Sequence, residues 1–273
     1  MIKRIKPDNR IFTSKEFQKD KYEFSILLKN LPSKTLELYS DEENYVLCRG
    51  GLEWPTWIWT KNNIDESLLP EIEEGINLYR LDTDTRYTCK KELYELLKKD
   101  NFEGLGDYYM EMGYLECDQT VPPKQTDGYL DKATIEDKDV LVKFIYNEHK
   151  EIGDIKELTL EEAEADFLKK IEDGNYYVWK NNNGKIVAQA IYNIQDGNAK
   201  IAGVYTDFDE RGKGYAANLI YQLTNKVLAE GHKVSLYTDY GYIPSNKAYK
   251  NVGYVDKDVL INFSCQKVNN KTM

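Results

Sequence analysis

Residues 199–217 read AKIAGVYTDFDERGKGYAA, and this stretch predicts a strand that runs through a glycine-bearing loop into a long helix. The first amides of a helix are unpaired, and the aligned peptide dipoles give them about half a positive charge. Gly212 and Gly214 would let this backbone approach a phosphate closely, and Arg211 and Lys213 would add positive charge. The loop is therefore predicted to hold a pyrophosphate group.

Two other phosphate-binding loops do not fit this stretch. It lacks the GxxxxGK(S/T) spacing of a P-loop, and it lacks GxGxxG with a following acidic anchor for a ribose. One alternative remains open, in which Gly212 and Gly214 only form a tight turn.

The elements around the loop alternate between helix and strand. Thr159 and Glu162 have the spacing of a capping box, at the start of a helix that is expected to end near Gly174. Asn181–Gly184 predicts a hairpin turn. Further helices are expected over Val140–Asn147, Tyr215–Glu230 and Ser245–Val252, and strands over Asn175–Lys180, Lys185–Ile194, Ala199–Thr206, Lys233–Thr238 and on both sides of Asp256-Lys257.

These motifs resemble the GNAT superfamily of N-acyltransferases. Residues 211–216, RGKGYA, fit the family's Arg/Gln-x-x-Gly-x-Gly/Ala signature, and residues 203–206, GVYT, stand where its fourth strand would be. Residues 245–254, SNKAYKNVGY, look like its second motif, which ends in Tyr-x-x-x-Gly-aromatic. The resemblance covers about residues 130–273. It implies an α/β (α+β) fold, in which helices flank a central mixed, mostly antiparallel sheet with one splayed strand pair.

The resemblance also implies a ligand and its binding residues. The co-substrate would be an acyl-coenzyme A, usually acetyl-CoA, and no metal would be needed. Pantetheine amides would pair with the open strand edge, the pyrophosphate would sit on the loop amides, and Asn246 would bond the pantetheine arm. The cofactor-binding residues would be Val204, Tyr205, Thr206, Arg211, Gly212, Lys213, Gly214, Tyr215, Ala216 and Asn246.

The implied reaction is direct attack of a primary amine on the thioester carbonyl, with no covalent enzyme intermediate. Holding both substrates together supplies much of the rate, and strand amides near Val204 could stabilise the oxyanion. Tyr249 would lie near the sulfur as the catalytic general acid, although its ring could instead only pack the last helix onto the sheet.

The general base is left unassigned by the sequence. His149 is expected between the first two helices of this half, either as a base or as a solvated loop residue. Asp207, Glu210 and Asp239 are alternatives, directly or through water, whereas His232 is expected to stabilise a helix end.

The first half of the chain carries no motif for chemistry. Two prolines in Val121–Gly128 predict a boundary between an N-terminal α/β domain, residues 1–125, and the GNAT-like domain, residues 130–273. One interpretation of the first domain is a degenerate copy of the same fold. Its predicted elements are helices over Ser14–Leu31, Leu93–Lys99 and Tyr108–Met112 and strands over Thr35–Tyr39, Asn44–Cys48 and Trp54–Thr60. The side chains of Trp54, Trp57 and Trp59 are expected either to pack across strands or to line a pocket or a partner surface.

Composition limits the class of protein. The 273 residues include 37 basic and 47 acidic side chains, for a net charge of −10, which disfavours coating of nucleic acid or of an anionic membrane. The N-terminal stretch lacks an apolar signal-peptide core, and no stretch reaches the roughly 20 apolar residues of a membrane helix, so a cytoplasmic protein is expected. Four scattered cysteines and two histidines predict core thiols rather than a zinc site.

The expected partners follow from charge and family together. Acidic segments at Asp41–Glu43, Glu71–Glu74 and Glu161–Glu164 are interpreted mainly as solvated faces. If one of them lines the acceptor site, it would favour a cationic amine, such as an amino sugar, a polyamine or a peptide N-terminus. The acceptor is therefore expected to be a small-molecule or peptide amine, and the protein a monomer or homodimer. The competing hypothesis is a non-catalytic module that binds acyl-CoA as a sensor or interaction platform.

Overall fold

The chain forms two units, and its C-terminal strand returns to the first of them. The computed structural model describes residues 1–80, 84–152 and 158–267. The first unit contains residues 1–114, 239–241 and 258 onwards, and the second contains residues 115–238 and 242–257. In the described part of the chain, no helix is both long enough and apolar enough to cross a membrane.

The first unit is a sheet covered by short helices. Its strands are β1 (Lys3–Arg4), β2 (Glu37–Ser40), β3 (Tyr45–Arg49), β4 (Thr56–Thr60) and β5 (Thr85–Lys90), and its helices are α1 (Lys15–Asp20), α2 (Ser25–Asn30), α3 (Leu69–Tyr79) and α4 (Lys91–Lys99). Strands β1 to β4 pair antiparallel in chain order, and β5 then pairs parallel to β4. The helix α3 makes the crossover that a parallel pair requires.

A long strand, β6 (Leu105–Cys117), leads from the first unit into the second. Tyr108–Met112 lies within β6, so the predicted helix there is wrong. Tyrosine is strongly enriched in strands, and the backbone N–H of Tyr240 donates to Glu111 O at 2.9 Å, as in a ladder. Long-range pairing therefore overrides the weak local helical pattern.

The second unit follows the same plan with longer helices. Its elements are β7 (Tyr129–Lys132), α5 (Lys138–Ile152), α6 (Leu160–Asp173), β8 (Tyr176–Lys180), β9 (Ile186–Gln195), β10 (Asn198–Thr206), α7 (Tyr215–Ala229), β11 (Lys233–Asp239), α8 (Ile243–Val252) and the start of β12 (Val255–Cys265), whose residues from 258 on belong to the first unit. Strands β7 to β10 pair antiparallel in order, and β11 is parallel to β10. The Thr159–Glu162 capping box is confirmed, and α6 ends at Gly174 with φ of 77°.

Helices cover both faces of the strands in the second unit. Side chains of α5 and α6, among them Phe144 and Phe167, form one buried cluster with Tyr176 of β8 and Tyr205 of β10. Helix α7 contacts the same strands without contributing to that cluster, so it covers the other face. The fold is α+β, with a mixed, mostly antiparallel sheet flanked by helices, as the sequence predicts.

The two units share an order of elements. In each, three antiparallel strands lead through a helix to a strand parallel to the third, β2-β3-β4-α3-β5 in one and β8-β9-β10-α7-β11 in the other. In the first unit, residues 61–68 join β4 to α3 and read KNNIDESL, with no glycine and two acidic residues. The first unit therefore repeats the plan without the phosphate loop.

The division between the units differs from the boundary expected at Val121–Gly128. That segment lies on the second unit, because Val121 N–H donates to Val252 O and the side-chain amide of Asn218 donates to Lys124 O. The strand β12 also runs unbroken through Asp256 and Lys257, so two late strands are one. These two charged side chains form ion pairs with Lys250 and Glu116 rather than a turn.

Packing bears on two further predictions in the first half. Ser14 caps α1 as expected, but the helix breaks after Asp20, whose carboxylate accepts from Trp59 Nε1 and Lys90 Nζ. Trp57 and Trp59 are buried; Trp57 packs edge-on against Phe24, the N-cap residue of α2, and Trp59 packs against Phe17 of α1, whereas Trp54 is 66% exposed.

The expected core thiols are confirmed. All four cysteines are free and buried: Cys48, Cys89, Cys117 and Cys265. Burial raises the pKa of Cys48 to about 12, so this thiol stays protonated at neutral pH and is a poor nucleophile.

Candidate functional site

Strands β10 and β11 separate halfway along their length. Asn198–Ile201 pairs with Lys233–Leu236, and the ladder stops there although both strands continue. On its other side β10 remains paired with β9 as far as Thr206. The backbone from Ala202 to Thr206 thus has one edge turned towards the gap, where an extended ligand could pair with it as an added strand. Val204, Tyr205 and Thr206 lie on this edge.

A bulge lies at the start of the open edge. Ala202 pairs with Ile191 and Tyr205 with Gln189, so two residues of β10, Gly203 and Val204, face one residue of β9. Gly203 has φ of 60°, in the left-handed region that suits glycine. Such a bulge bends the strand and turns backbone groups out of the ladder.

The glycine loop leads from β10 into α7 with its backbone exposed. Gly212 has φ of 76° and no atom within 4 Å of where a Cβ would stand, and Gly214, at φ of 87°, is the N-cap of α7. No side chain caps this helix and its first turn holds no acidic residue, whereas α6 has Thr159 as its cap and Glu161 and Glu162 in its first turn. The amides of Tyr215 and Ala216 therefore remain available to an anion.

The two basic residues of the loop form ion pairs within the protein. Arg211 Nη2 donates to both carboxylate oxygens of Glu151, at 2.8 and 2.7 Å, and its Nε donates to Thr206 O. Lys213 pairs with Glu210 at 2.6 Å. The attraction for phosphate thus rests first on the backbone amides, and the loop cations must exchange partners to contribute.

The carboxylates proposed as bases have structural partners. Glu210 binds Lys185 as well as Lys213, and hydrogen bonds from these two ammonium groups lower its pKa. Asp207 also pairs with Lys185. Asp239 belongs to the first unit, where its Oδ1 accepts the backbone N–H of Gly241. A base with a lowered pKa is a weak proton acceptor, so Glu210 fits this role poorly.

The two histidines occupy different positions relative to the helices. His149 is part of α5, not of the segment between the helices. His232 follows α7, and its backbone N–H donates to Val227 O at 3.4 Å, so its main chain closes the helix end. The acidic segments likewise have structural roles, since Glu162 caps α6 and Glu164 binds Lys138.

Asn246 and Tyr249 are both buried on α8. The Asn246 amide accepts from Thr238 Oγ1 and donates to Tyr242 O, so it fixes the first turn of α8 to β11. Tyr249 is 6% exposed and its ring meets Tyr254 edge-on. Burial raises the pKa of Tyr249 well above its usual value, and the Glu148 charge raises it further. The hydroxyl therefore keeps its proton at neutral pH. The tyrosine that opens α7, Tyr215, donates its hydroxyl to Asp127 at 2.7 Å.

The structure adds one carboxylate that the motifs did not indicate. Glu148 of α5 faces the bulge of β10, since a Cβ built on Gly203 would lie 3.9 Å from both its oxygens. Its Oε2 accepts from Gln189 Nε2 at 3.1 Å, and Gln189 Oε1 in turn accepts from the Tyr176 hydroxyl at 2.5 Å. Burial raises the pKa of Glu148 although its side chain retains some solvent access. Its position at Glu-x-x-Glu on an amphipathic helix carries no sequence signal that separates it from the other acidic residues.

Two recesses lie near these elements. One of about 310 Å³ adjoins the phosphate loop and is lined by Pro122, Pro123, Lys124, Gly214, Ala217 and Asn251. The other, of about 690 Å³, lies between α5, the β8–β9 turn and the residues after β10. Its lining includes Asn147 and Tyr205 but neither Glu148 nor Tyr249.

The open edge of β10 leads into a helix whose first amides are uncapped, an arrangement that suits an anionic ligand. Residues 142–254 match the acetyltransferase (GNAT) family. No curated protein sequence matches the chain. This segment, which carries the loop, Glu148 and Tyr249, is therefore a GNAT-family domain.

Solved structures resemble the whole chain. A GCN5-related N-acetyltransferase from Sphaerobacter thermophilus has a TM-score of 0.70 at 12% identity, covering 100% of this chain and 97% of that one. A GNAT-family acetyltransferase from Colwellia psychrerythraea has a TM-score of 0.63 at 13% identity, covering 97% and 100%. A glucosamine N-acetyltransferase region of a fungal multi-domain β-N-acetylglucosaminidase has a TM-score of 0.56 at 11% identity, covering 97% and 38%. Identities this low show a shared fold, which includes the N-terminal unit.

Proposed function

We propose that this protein transfers an acyl group, usually acetyl, from coenzyme A to a primary amine. The observation that carries the proposal is the open edge of β10 leading directly into the uncapped start of α7. This combination suits a ligand with an amide-bearing arm and a pyrophosphate at one end, which is the chemistry of coenzyme A.

In this proposal the pantetheine amides pair with Val204 and Thr206, and the pyrophosphate lies on the amides of Gly212–Ala216. The recess beside Pro122 and Pro123 takes the adenosine end of the coenzyme, with flat apolar ring faces on one side and Asn251 on the other. The thioester then lies at the bulge, where backbone amides near Val204 stabilise the oxyanion.

Tyr249 serves as the general acid for the leaving thiolate. Burial raises its pKa, which keeps the hydroxyl a proton donor at neutral pH. The amine attacks directly, so the gain in rate comes largely from holding two substrates together. We place this activity with a small-molecule or peptide amine; glucosamine belongs among the first acceptors to test, given the fungal relative.

The experiment measures binding first and turnover second. Acetyl-CoA is titrated calorimetrically into the full chain, and one coenzyme per chain is expected, because only the second unit carries the glycine loop. Release of free thiol is then followed with glucosamine, spermidine and a dipeptide as acceptors. Failure to bind acetyl-CoA would contradict the proposed binding of coenzyme A at the glycine loop. Binding without turnover across a broad amine panel would favour a non-catalytic acyl-CoA sensor.

A further inference from the structure

Glu148 places a carboxylate against the backbone where the open edge of β10 begins. Both of its oxygens face Gly203, where the absence of a side chain leaves room beside the bulge. Oε2 accepts one hydrogen bond from the neutral amide of Gln189, and the described part of the chain gives Oε1 no hydrogen-bond donor. One lone-pair face of this carboxylate is therefore available to a ligand.

The surrounding charges do not neutralise Glu148 by direct contact. The titratable groups that act on it are His149 on α5, Asp166 and Lys170 on α6, Tyr176 on β8 and Tyr249 on α8. Lys170 donates to Asp166 rather than to Glu148. A carboxylate withdrawn from water without its own cation attracts a positively charged group strongly.

We propose that Glu148 binds the ammonium group of a cationic primary amine beside the thioester and then accepts its proton. This inference rests on the acyltransferase function proposed above and assigns both its base and its acceptor class. Neutral hydroxyl compounds would gain little from this carboxylate, and acceptors with an acidic group next to the amine would be repelled by it.

The proton and electron balance closes with these side chains. The ammonium gives one proton to Glu148, and the nitrogen lone pair forms the C–N bond to the thioester carbon. The C–S bond breaks as the intermediate collapses, and the sulfur takes the proton of Tyr249. The second proton of the amine nitrogen then restores Tyr249, and Glu148 releases its proton to water. The net products are an amide, coenzyme A and one proton.

A carboxylate with a raised pKa suits this exchange. The raised pKa makes Glu148 a stronger proton acceptor than an exposed carboxylate, so it can take the proton of the ammonium. A merely structural role is the alternative, in which Glu148 only holds Gln189 in place. The two roles of Glu148 predict different acceptor selectivity, because a structural carboxylate would not distinguish an amine from an alcohol.

The test uses binding that does not depend on turnover. The full chain is saturated with coenzyme A, and benzylamine, glucosamine, spermidine and, as a neutral match, benzyl alcohol are titrated calorimetrically. The variants are Glu148→Gln and the control Glu172→Gln, which removes an exposed carboxylate of α6. We expect at least one amine to bind wild type and the control, and its Kd to rise about 10- to 100-fold in Glu148→Gln, the range for a hydrogen bond to a charged group. The alcohol should bind both proteins equally and weakly.

Turnover supplies the second readout. With acetyl-CoA, kcat/KM for cationic amines should fall about 100-fold or more in Glu148→Gln, and the residual rate should follow the fraction of neutral amine as the pH rises. Equal amine affinity in wild type and variant, or failure of every amine to bind wild type, would overturn the inference. Amine binding that depends on Glu148 without thiol release would uphold it as a recognition site, while the acyltransferase function would fail.

Discussion

Arg211 and Glu151 form an ion pair that joins the phosphate loop to the end of α5. One guanidinium nitrogen donates to both carboxylate oxygens, and the guanidinium plane lies over the rings of Tyr205 and Phe208. The loop arginine is therefore already partnered, and any phosphate it meets must compete with Glu151.

This competition gives a prediction for coenzyme affinity. A partly exposed ion pair contributes about 0–1 kcal/mol, so Glu151→Gln should lower the Kd for acetyl-CoA by roughly two- to fivefold, because Arg211 no longer has to leave a carboxylate. Calorimetry at two salt concentrations measures it, and the variant should show the steeper salt dependence because a freed cation then meets the phosphates. A Kd that rises in the variant would mean that Glu151 instead holds Arg211 in its binding position.

Tyr249 offers a prediction with a matched partner. Tyr249→Phe should lower kcat about 100-fold or more and leave the Kd for acetyl-CoA nearly unchanged, because only the proton donor is lost. Tyr254→Phe removes a hydroxyl from an equally buried ring whose centroid is 6.1 Å away. That control breaks the 2.7 Å hydrogen bond with Thr224, so it should cost about 1–3 kcal/mol of stability without a comparable loss of rate.

Stopped assays of thiol release at saturating coenzyme separate the two tyrosines. Equal rates for Tyr249→Phe and wild type would remove Tyr249 from the acid role and leave it as a packing residue of α8.

Local signals account for the parts of this protein that the sequence predicts. The capping box at Thr159 and the glycines at 212 and 214 act on the backbone within a few residues. The local structure that they predict from the sequence is therefore the one that the structure has. The GNAT motifs place such local signals in a fixed order along the chain. The phosphate loop and α7 were predictable for that reason.

Long-range packing accounts for the parts that it does not predict. Glu148 lies beside the bulge of β10 only in the folded chain, where α5 packs against β10. The residues next to Glu148 in the sequence do not indicate this contact. Leu69–Tyr79 forms a helix despite Pro70 and Gly75, because Pro70 is in the first turn and Gly75 lets the helix approach Leu47. The strand Thr85–Lys90 is too short to show a period, and it is fixed by its parallel partner.

The raised pKa of Glu148 predicts how stability depends on pH. An unfolded glutamate has a pKa near 4.3, so between that pH and the higher folded value the folded state binds more protons than the unfolded state. The free energy of unfolding should therefore fall as the pH rises through this window, from this group alone. Glu148→Gln removes the ionisation, so the variant should be more stable relative to wild type at pH 7.5 than at pH 4.

Urea unfolding of both proteins at those two values of pH measures this difference. Glu172→Gln provides the control, because it removes an exposed carboxylate of α6. A stability difference that does not change with pH would contradict the burial of Glu148.

The sharpest test of the loop compares two glycines with the same backbone. Gly212 and Gly197 have φ of 76° and 77°, and neither has an atom within 4 Å of where a Cβ would stand. An aspartate at either position should therefore cost a similar amount of stability, about 1–2 kcal/mol for a left-handed residue. Only Gly212→Asp places a carboxylate at the uncapped start of α7, so this variant should raise the Kd for acetyl-CoA 100-fold or more. Gly197→Asp should leave the Kd within about twofold, because charge repulsion acts at contact distance and is screened beyond about 10 Å. Calorimetric titration of both variants decides the matter, and equal affinities would mean that the pyrophosphate lies elsewhere.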